Sequence, residues 1–184
     1  MAHMVDPVER DDELRDVAAA TRAEWRADEE QWARAAFEAW EHDRTLLDVA
    51  RECMHRGDTV AVALPGRTFL GAVSSVGDDR IGIATNEGPV DVQVTRHALM
   101  TFRVVTRARV GGTRGERAVV TFRARLLELE TDDASVELGV SLADGVLNGR
   151  LRVGRDQVSI TDRDGGRCYV SIGSVSWVRP VEVD

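Results

Sequence analysis

The residues able to do chemistry are few, and their spacing suits contact better than catalysis. Arg96 and His97 stand side by side after a run of alternating valines. A His there can stack on or hydrogen-bond a base, and an Arg can grip a phosphate. His97 reads equally as a partly buried structural histidine near a strand end. Residues 101–125 hold seven Arg against one acid, Glu116. Arg103, Arg107, Arg109, Arg114, Arg117, Arg123 and Arg125 form a strip suited to phosphates. The same strip suits an acidic helix of this chain or of a neighbour, because residues 1–58 hold 16 acids and 8 Arg.

Catalytic patterns are missing. Gly111-Gly112-Thr113-Arg114-Gly115 lacks the Lys and following Ser/Thr of a phosphate-binding loop. Cys53 and His55 lie two apart, on different faces of a helix, and no His/Cys/carboxylate set has metal spacing. Asp78-Asp79 and Asp132-Asp133 sit in turns, where Asp is favoured for backbone reasons. Ser174 and Ser176 have no base near them in sequence. The chain is therefore expected to be no enzyme and to need no cofactor or metal.

The 184 residues are 43% hydrophobic and 30% charged, with a net charge of −8. That excludes a protein basic over its whole surface. All 24 basic side chains are Arg, which points to a GC-rich bacterial gene. No apolar run approaches a membrane span, and no export signal stands at the start. Cys53 and Cys168 are too few for a disulfide framework. These features predict a cytoplasmic protein with reduced thiols and no membrane partner.

The elements that must position these residues follow from periodicity. Residues 8–56 read as helix: Pro7 precedes them, Gly57 follows, and Ala, Glu and Arg dominate. Trp25, Trp32, Ala39, Leu46 and Cys53 recur every seven residues, and Trp40, Leu47 and Met54 form a second such row. The stripe implies packing, either on the chain's own β region or on another subunit. Burial of Trp25 and Trp32 is expected, worth roughly 2–3 kcal/mol each. At Asp43-Arg44-Thr45 an interruption would let Thr45 cap a second helix, Leu46 to His55, ended by Gly57.

Beyond Gly57 the period changes to two. Short strands lie around Val60–Leu64, Phe69–Val73, Ile81–Ile83, Val90–Val94 and Leu99–Val105, separated by Gly-containing turns. The pattern then recurs. Val60 to Gly71 matches Leu138 to Gly149 at an offset of 78, Gly77 to Ile83 matches Gly154 to Ile160 at 77, and Leu99 matches Trp177 at 78. A short helix, Phe122 to Leu129, precedes the second copy as Leu46 to His55 precedes the first. The unit is a helix plus five strands, present twice.

This unit resembles the Sm-like proteins, in which a helix precedes a bent five-stranded barrel. In copy one, the stretch from Gly66 to Ile83, with Gly66, Gly71 and Asp79, looks like the first Sm motif. Val94-Thr-Arg-His-Ala-Leu99 looks like the second motif as it stands in Hfq. The resemblance implies a ring of subunits joined edge to edge that binds single-stranded RNA, with Arg96 and His97 at the base site. Copy two carries Ser174 and Val175 in their place, and the loop after Asp79 lacks the usual Asn and any aromatic.

The sequence thus predicts a helical region (4–56), a first Sm-like barrel (57–106), an Arg/Gly-rich linker (107–118), and a helix with a second barrel (119–184). Each barrel is expected to be small, bent, five-stranded and closed. Two functions follow. In one, a non-catalytic module binds single-stranded RNA through Arg96, His97, Arg103, Arg107, Arg109, Arg114 and Arg117. In the other, the chain is an assembly or adaptor protein that binds protein only. Either way a homo-oligomer or a protein partner is expected, packed through Trp25, Trp32, Trp40, Leu46 and Leu47.

Overall fold

The computed structural model describes residues 7–95, 100–109, 111–112, 120–141 and 145–181, with backbone only for 7–17. The chain divides into two compact units, Met1–Arg44 and Thr45–Asp184.

The first unit is one long helix, α1 (Pro7–Asp43). Every described side chain from 18 to 43 is exposed.

The second unit opens with α2 (Leu46–Arg56). Both of its ends are set by local chemistry. Thr45 and Asp48 form a reciprocal cap: the Asp48 N–H donates to Thr45 Oγ1 (3.2 Å) and the Thr45 N–H to Asp48 Oδ2 (3.0 Å). Gly57 adopts φ 78°, where a side chain would be strained, and its N–H closes on the Cys53 carbonyl. The predicted break and both caps are therefore present.

Five strands follow: β1 (Thr59–Leu64), β2 (Arg67–Val76), β3 (Arg80–Thr85), β4 (Gly88–Gln93) and β5 (Thr101–Thr106). Then α3 (Phe122–Thr131), capped by Thr121, leads into β6 (Ser135–Val140), β7 (Val146–Val153), β8 (Gln157–Thr161), β9 (Arg167–Ser171) and β10 (Val175–Val181). A helix with five strands does occur twice.

The two closed barrels do not occur. All ten strands form one open sheet in the order β5-β1-β2-β3-β4-β10-β6-β7-β8-β9. Closing each group on itself would require β4 to pair with β5 and β9 with β10. Instead β4 takes β10 as its second neighbour, antiparallel, with Trp177 opposite Val92 and Val178 opposite Asp91. Side-chain burial drives this choice. Trp177, 2% exposed, leaves the second half and enters the core of the first, where its ring meets Phe69 edge-on at 5.0 Å. The continued ladder also satisfies backbone groups that two free edges would leave open.

Two cores lie along the sheet. Ala50, Cys53 and Met54 of α2 pack on Val60, Val62, Ile81, Ile83, Val90 and Val92. Phe122, Leu126 and Leu129 of α3 pack on Val136, Leu138, Leu151, Val158 and Ile160.

Strand order within the halves is the same, β5-β1-β2-β3-β4 and β10-β6-β7-β8-β9. The residue equivalence in the first strands differs from the sequence match. Val60 faces Gly71 across its hairpin, and Val136 faces Gly149. Both glycines serve one purpose: a Cβ would overlap the Ala84 or Thr161 carbonyl of the next strand. The counterpart of Val60 is therefore Val136, not Leu138, and the counterpart of Trp177 is Thr101, not Leu99. The second hairpin is two residues longer, and a slip of two leaves every side chain on its own face of a strand. Hydrophobic alternation cannot register such a slip.

Candidate functional site

The predicted binding residues separate in space. Arg96, His97, Arg114 and Arg117 lie outside the described residues. Arg103 stands exposed on β5, an end strand of the sheet, and Arg107 and Arg109 are exposed just beyond it. Arg123 and Arg125 of the strip are turned to structural use on α3. The Arg123 Nη2 donates to the Gly154 carbonyl at 3.0 Å. Arg125 donates from Nε to Asp91 Oδ2 at 2.8 Å and from Nη1 to Glu128.

The segment carrying Arg107 and Arg109 is pinned to α2. The Ala108 N–H donates to Asp58 Oδ1 at 2.9 Å, and the Gly112 N–H to the His55 carbonyl at 3.0 Å. Asp58 is buried and also accepts from Arg56 Nε at 2.8 Å. Burial pushes the Asp58 carboxyl up. The Ala108 and Arg56 hydrogen bonds and the charges of Arg56 and Arg107 outweigh that and hold it below the usual carboxylate range.

The turn resembling the first Sm motif is likewise engaged within the chain. The Asp78 N–H donates to the Val120 carbonyl at 2.7 Å, and Asp79 Oδ1 accepts the Phe122 N–H at 2.6 Å. A Cβ on Gly77 would overlap the Val120 carbonyl. This turn seats the start of α3.

The joint between β4 and β10 concentrates the remaining charge. Asp91 on β4 is buried and accepts from Arg80 of β3 as well as from Arg125 of α3. It thereby ties α3 to the first half of the sheet. At the other side of the joint, Arg179 of β10 donates to Glu137 (2.6 Å) and to Glu87 (2.5 Å), and Glu87 also accepts from Arg67 (2.7 Å). Hydrogen bonding from Arg179, with the charges of Arg67 and Arg179, lowers the Glu87 carboxyl. Arg67 lies over the Phe69 and Trp177 rings at 5.5 and 5.7 Å. Gly139 admits the tryptophan, since a Cβ there would overlap the indole.

None of Trp177, Arg179, Glu87 and Asp91 stood out in the sequence as a binding residue. One signal existed. Trp177 is a large aromatic in a repeat whose other copy has no aromatic at that point.

The aromatic stripe of α1 departs from its expectation. Trp25 and Trp32 are 75% and 77% exposed, and Trp40 is 50% exposed. A Trp side chain at that exposure gains little of the burial energy expected for it. Trp40 is flanked by Phe37 at 5.7 Å and by the Arg44 guanidinium at 4.2 Å. Lower in the same rows, Leu46 is half-buried and Leu47 packs on the first core.

Among the described residues no group of His, Cys, Asp and Glu is placed to hold a metal ion, and no helix is long and apolar enough to cross a membrane. Cys53 is buried and Cys168 exposed, both as free thiols. Comparison with protein-family models, with curated proteins and with solved structures finds no match to this chain.

Proposed function

We propose that the chain is a non-catalytic assembly module that binds protein through the free edges of its sheet. The observation that carries this is the pair of unlike end strands. On β5, Arg103 and Val105 are exposed; on β9, Cys168 and Tyr169 are exposed. Their outer backbone groups form templates for a further strand. The exposed aromatics of α1 add apolar surface of the kind that protein interfaces use. Kinship with Sm-like proteins belongs to the same proposal and is supported by the twice-repeated order of one helix and five strands. The two free thiols fit a reducing, cytoplasmic setting.

Single-stranded RNA is the second reading, favoured by Arg103, Arg107 and Arg109 standing exposed at one edge. Against it, Arg123, Arg125 and Asp79 are committed to internal bonds. Light scattering beside titration of labelled single-stranded RNA at low salt separates the two. The assembly reading expects a mass above the 20.2 kDa chain that grows with concentration, and no RNA binding. A monomer that binds RNA, with binding weakened by Arg107→Ala and Arg109→Ala, refutes it.

A further inference from the structure

One face of α1 carries aromatic, acidic and small side chains in an order set by helical spacing. Trp25 and Trp32 lie two turns apart, about 10 Å along the axis. Asp28 and Glu29 stand between them, each three or four residues from both tryptophans and so beside both on the helix surface. Ala18, Ala36 and Ala39 continue the same face towards either end. All of these side chains are exposed. Among the described residues neither carboxylate has an ion-pair partner. The nearby Arg22 and Arg26 donate from Nε to the helix's own carbonyls, those of Ala18 (2.9 Å) and Arg22 (3.2 Å).

The last turn of the helix shows what such a face takes. There the Arg44 guanidinium lies over the Trp40 ring at 4.2 Å, and its Nη1 is 3.9 Å from Glu41 Oε1. One cation meets an aromatic face and a carboxylate together. Trp25 and Trp32 have carboxylates beside them but no arginine in the matching place, since Glu29 and Ala36 stand four residues on. We propose that this face of α1 docks an arginine-bearing helix of a partner protein, its guanidinium groups on the Trp25 and Trp32 indoles and paired with Asp28 and Glu29. The proposal rests on the reading of the chain as a protein-binding module and names the chemistry of the partner.

Charge selects this partner over a second copy of α1. Pro7–Asp43 carries 12 acids and 5 Arg, a net −7. Two copies laid in register, or antiparallel about residues 28–29, would set Asp28 and Glu29 against the same acids of the other copy, and like charges so juxtaposed repel. A partner helix with Arg at i and i+7 matches the two-turn spacing, neutralises both carboxylates and seats larger side chains over the alanines. Arginine fits better than lysine, because a planar guanidinium stacks on an indole and forks to a carboxylate in one pose.

The test titrates the full chain into a fluorophore-labelled, amide-capped helical peptide of Ala and Leu with Arg at i, i+7 and i+14, read by anisotropy. The same peptide with Lys in place of Arg is the control for charge alone. The Arg peptide should bind saturably and the Lys peptide at least tenfold more weakly. Trp25→Ala, Trp32→Ala and the pair Asp28→Asn with Glu29→Gln should each weaken Arg-peptide binding at least tenfold. Glu38→Gln, which removes one charge from the opposite face, should change it less than twofold. Circular dichroism of each variant checks that the helix is kept. Equal binding of the Arg and Lys peptides, or an unchanged affinity in both tryptophan variants, overturns the arginine site and leaves the assembly reading standing. So does a chain that ignores the peptide but loses oligomer mass on Trp25→Ala, which identifies a second copy as the occupant. A monomer that ignores the peptide and binds labelled single-stranded RNA overturns both.

Discussion

Replacing Trp177 by Ala tests the continuous sheet, because this residue belongs to the second half by sequence and to the first half by packing. An indole buries about 200 Å2. At about 25 cal/mol per Å2 that area is worth up to about 5 kcal/mol, and truncation of a buried Trp to Ala costs roughly 3–5 kcal/mol. For the unit Thr45–Asp184 that is a fall in melting temperature of roughly 10 °C. The location of the damage is the sharper readout. Cys53, fully buried in the first core, is a natural reporter of that core's opening, and the exposed Cys168 serves as an internal control. If Trp177 completes the first core, Trp177→Ala should speed labelling of Cys53 by a thiol reagent on the order of a hundredfold, with Cys168 unchanged. Thermal unfolding in two steps, with the Cys53 rate at its wild-type value, would refute the shared core.

Other changes probe the supports of this arrangement. Asp91→Asn removes the charge between Arg80 and Arg125 and should cost about 3–5 kcal/mol by urea unfolding, as expected when one partner is taken from a buried ion group. Gly139→Ala should destabilise by about 1–3 kcal/mol and shift tryptophan emission, because the methyl displaces the indole. Thr45→Ala removes the α2 cap and should cost about 1 kcal/mol, read from the urea midpoint. Asp58 gives a pH signature. Its folded carboxyl lies below its unfolded value, so its contribution is present above about pH 4 and is lost as pH falls through the folded value. The gap in urea midpoint between wild type and Asp58→Asn should therefore be wide at pH 6 and narrow towards pH 3.

Much of the local structure was legible in the sequence because its causes are local. Thr45 and Gly57 bound a helix by capping chemistry that needs no distant partner. The alternation of Val60, Val62 and Leu64 and the turn at Pro65-Gly66 mark a hairpin for the same reason. The repeat of a helix and five strands was legible because glycines at tight positions, Gly71 and Gly149, recur. What the sequence hid was long-range. Whether β4 closes on β5 or opens to β10 depends on where Trp177 is buried, and a pattern of period two is blind to which neighbour a strand takes. The site residues divided likewise. Exposure of Arg103, Arg107 and Arg109 agrees with a strip of Arg on a polar segment, but the use of Arg125 by Asp91, 34 positions upstream, carries no local sign. The helical rows of Trp25, Trp32 and Trp40 signalled packing, on the chain's own β region or on another subunit, and all three side chains are exposed.

The position of β10 in the middle of the sheet has a consequence for synthesis on the ribosome. Phe69 emerges 108 positions before the tryptophan that packs on it. At about 5–20 residues per second, roughly 5–20 s pass between the two. Once Thr106 has emerged, the first half has its helix and five strands but lacks one wall of its core until Trp177 follows, and the outer edge of β4 has no neighbour. A nascent first half is therefore a natural client for holding factors or for a neighbouring nascent chain. Sequences that slow translation between the halves would lengthen this vulnerable state rather than help the first half to mature.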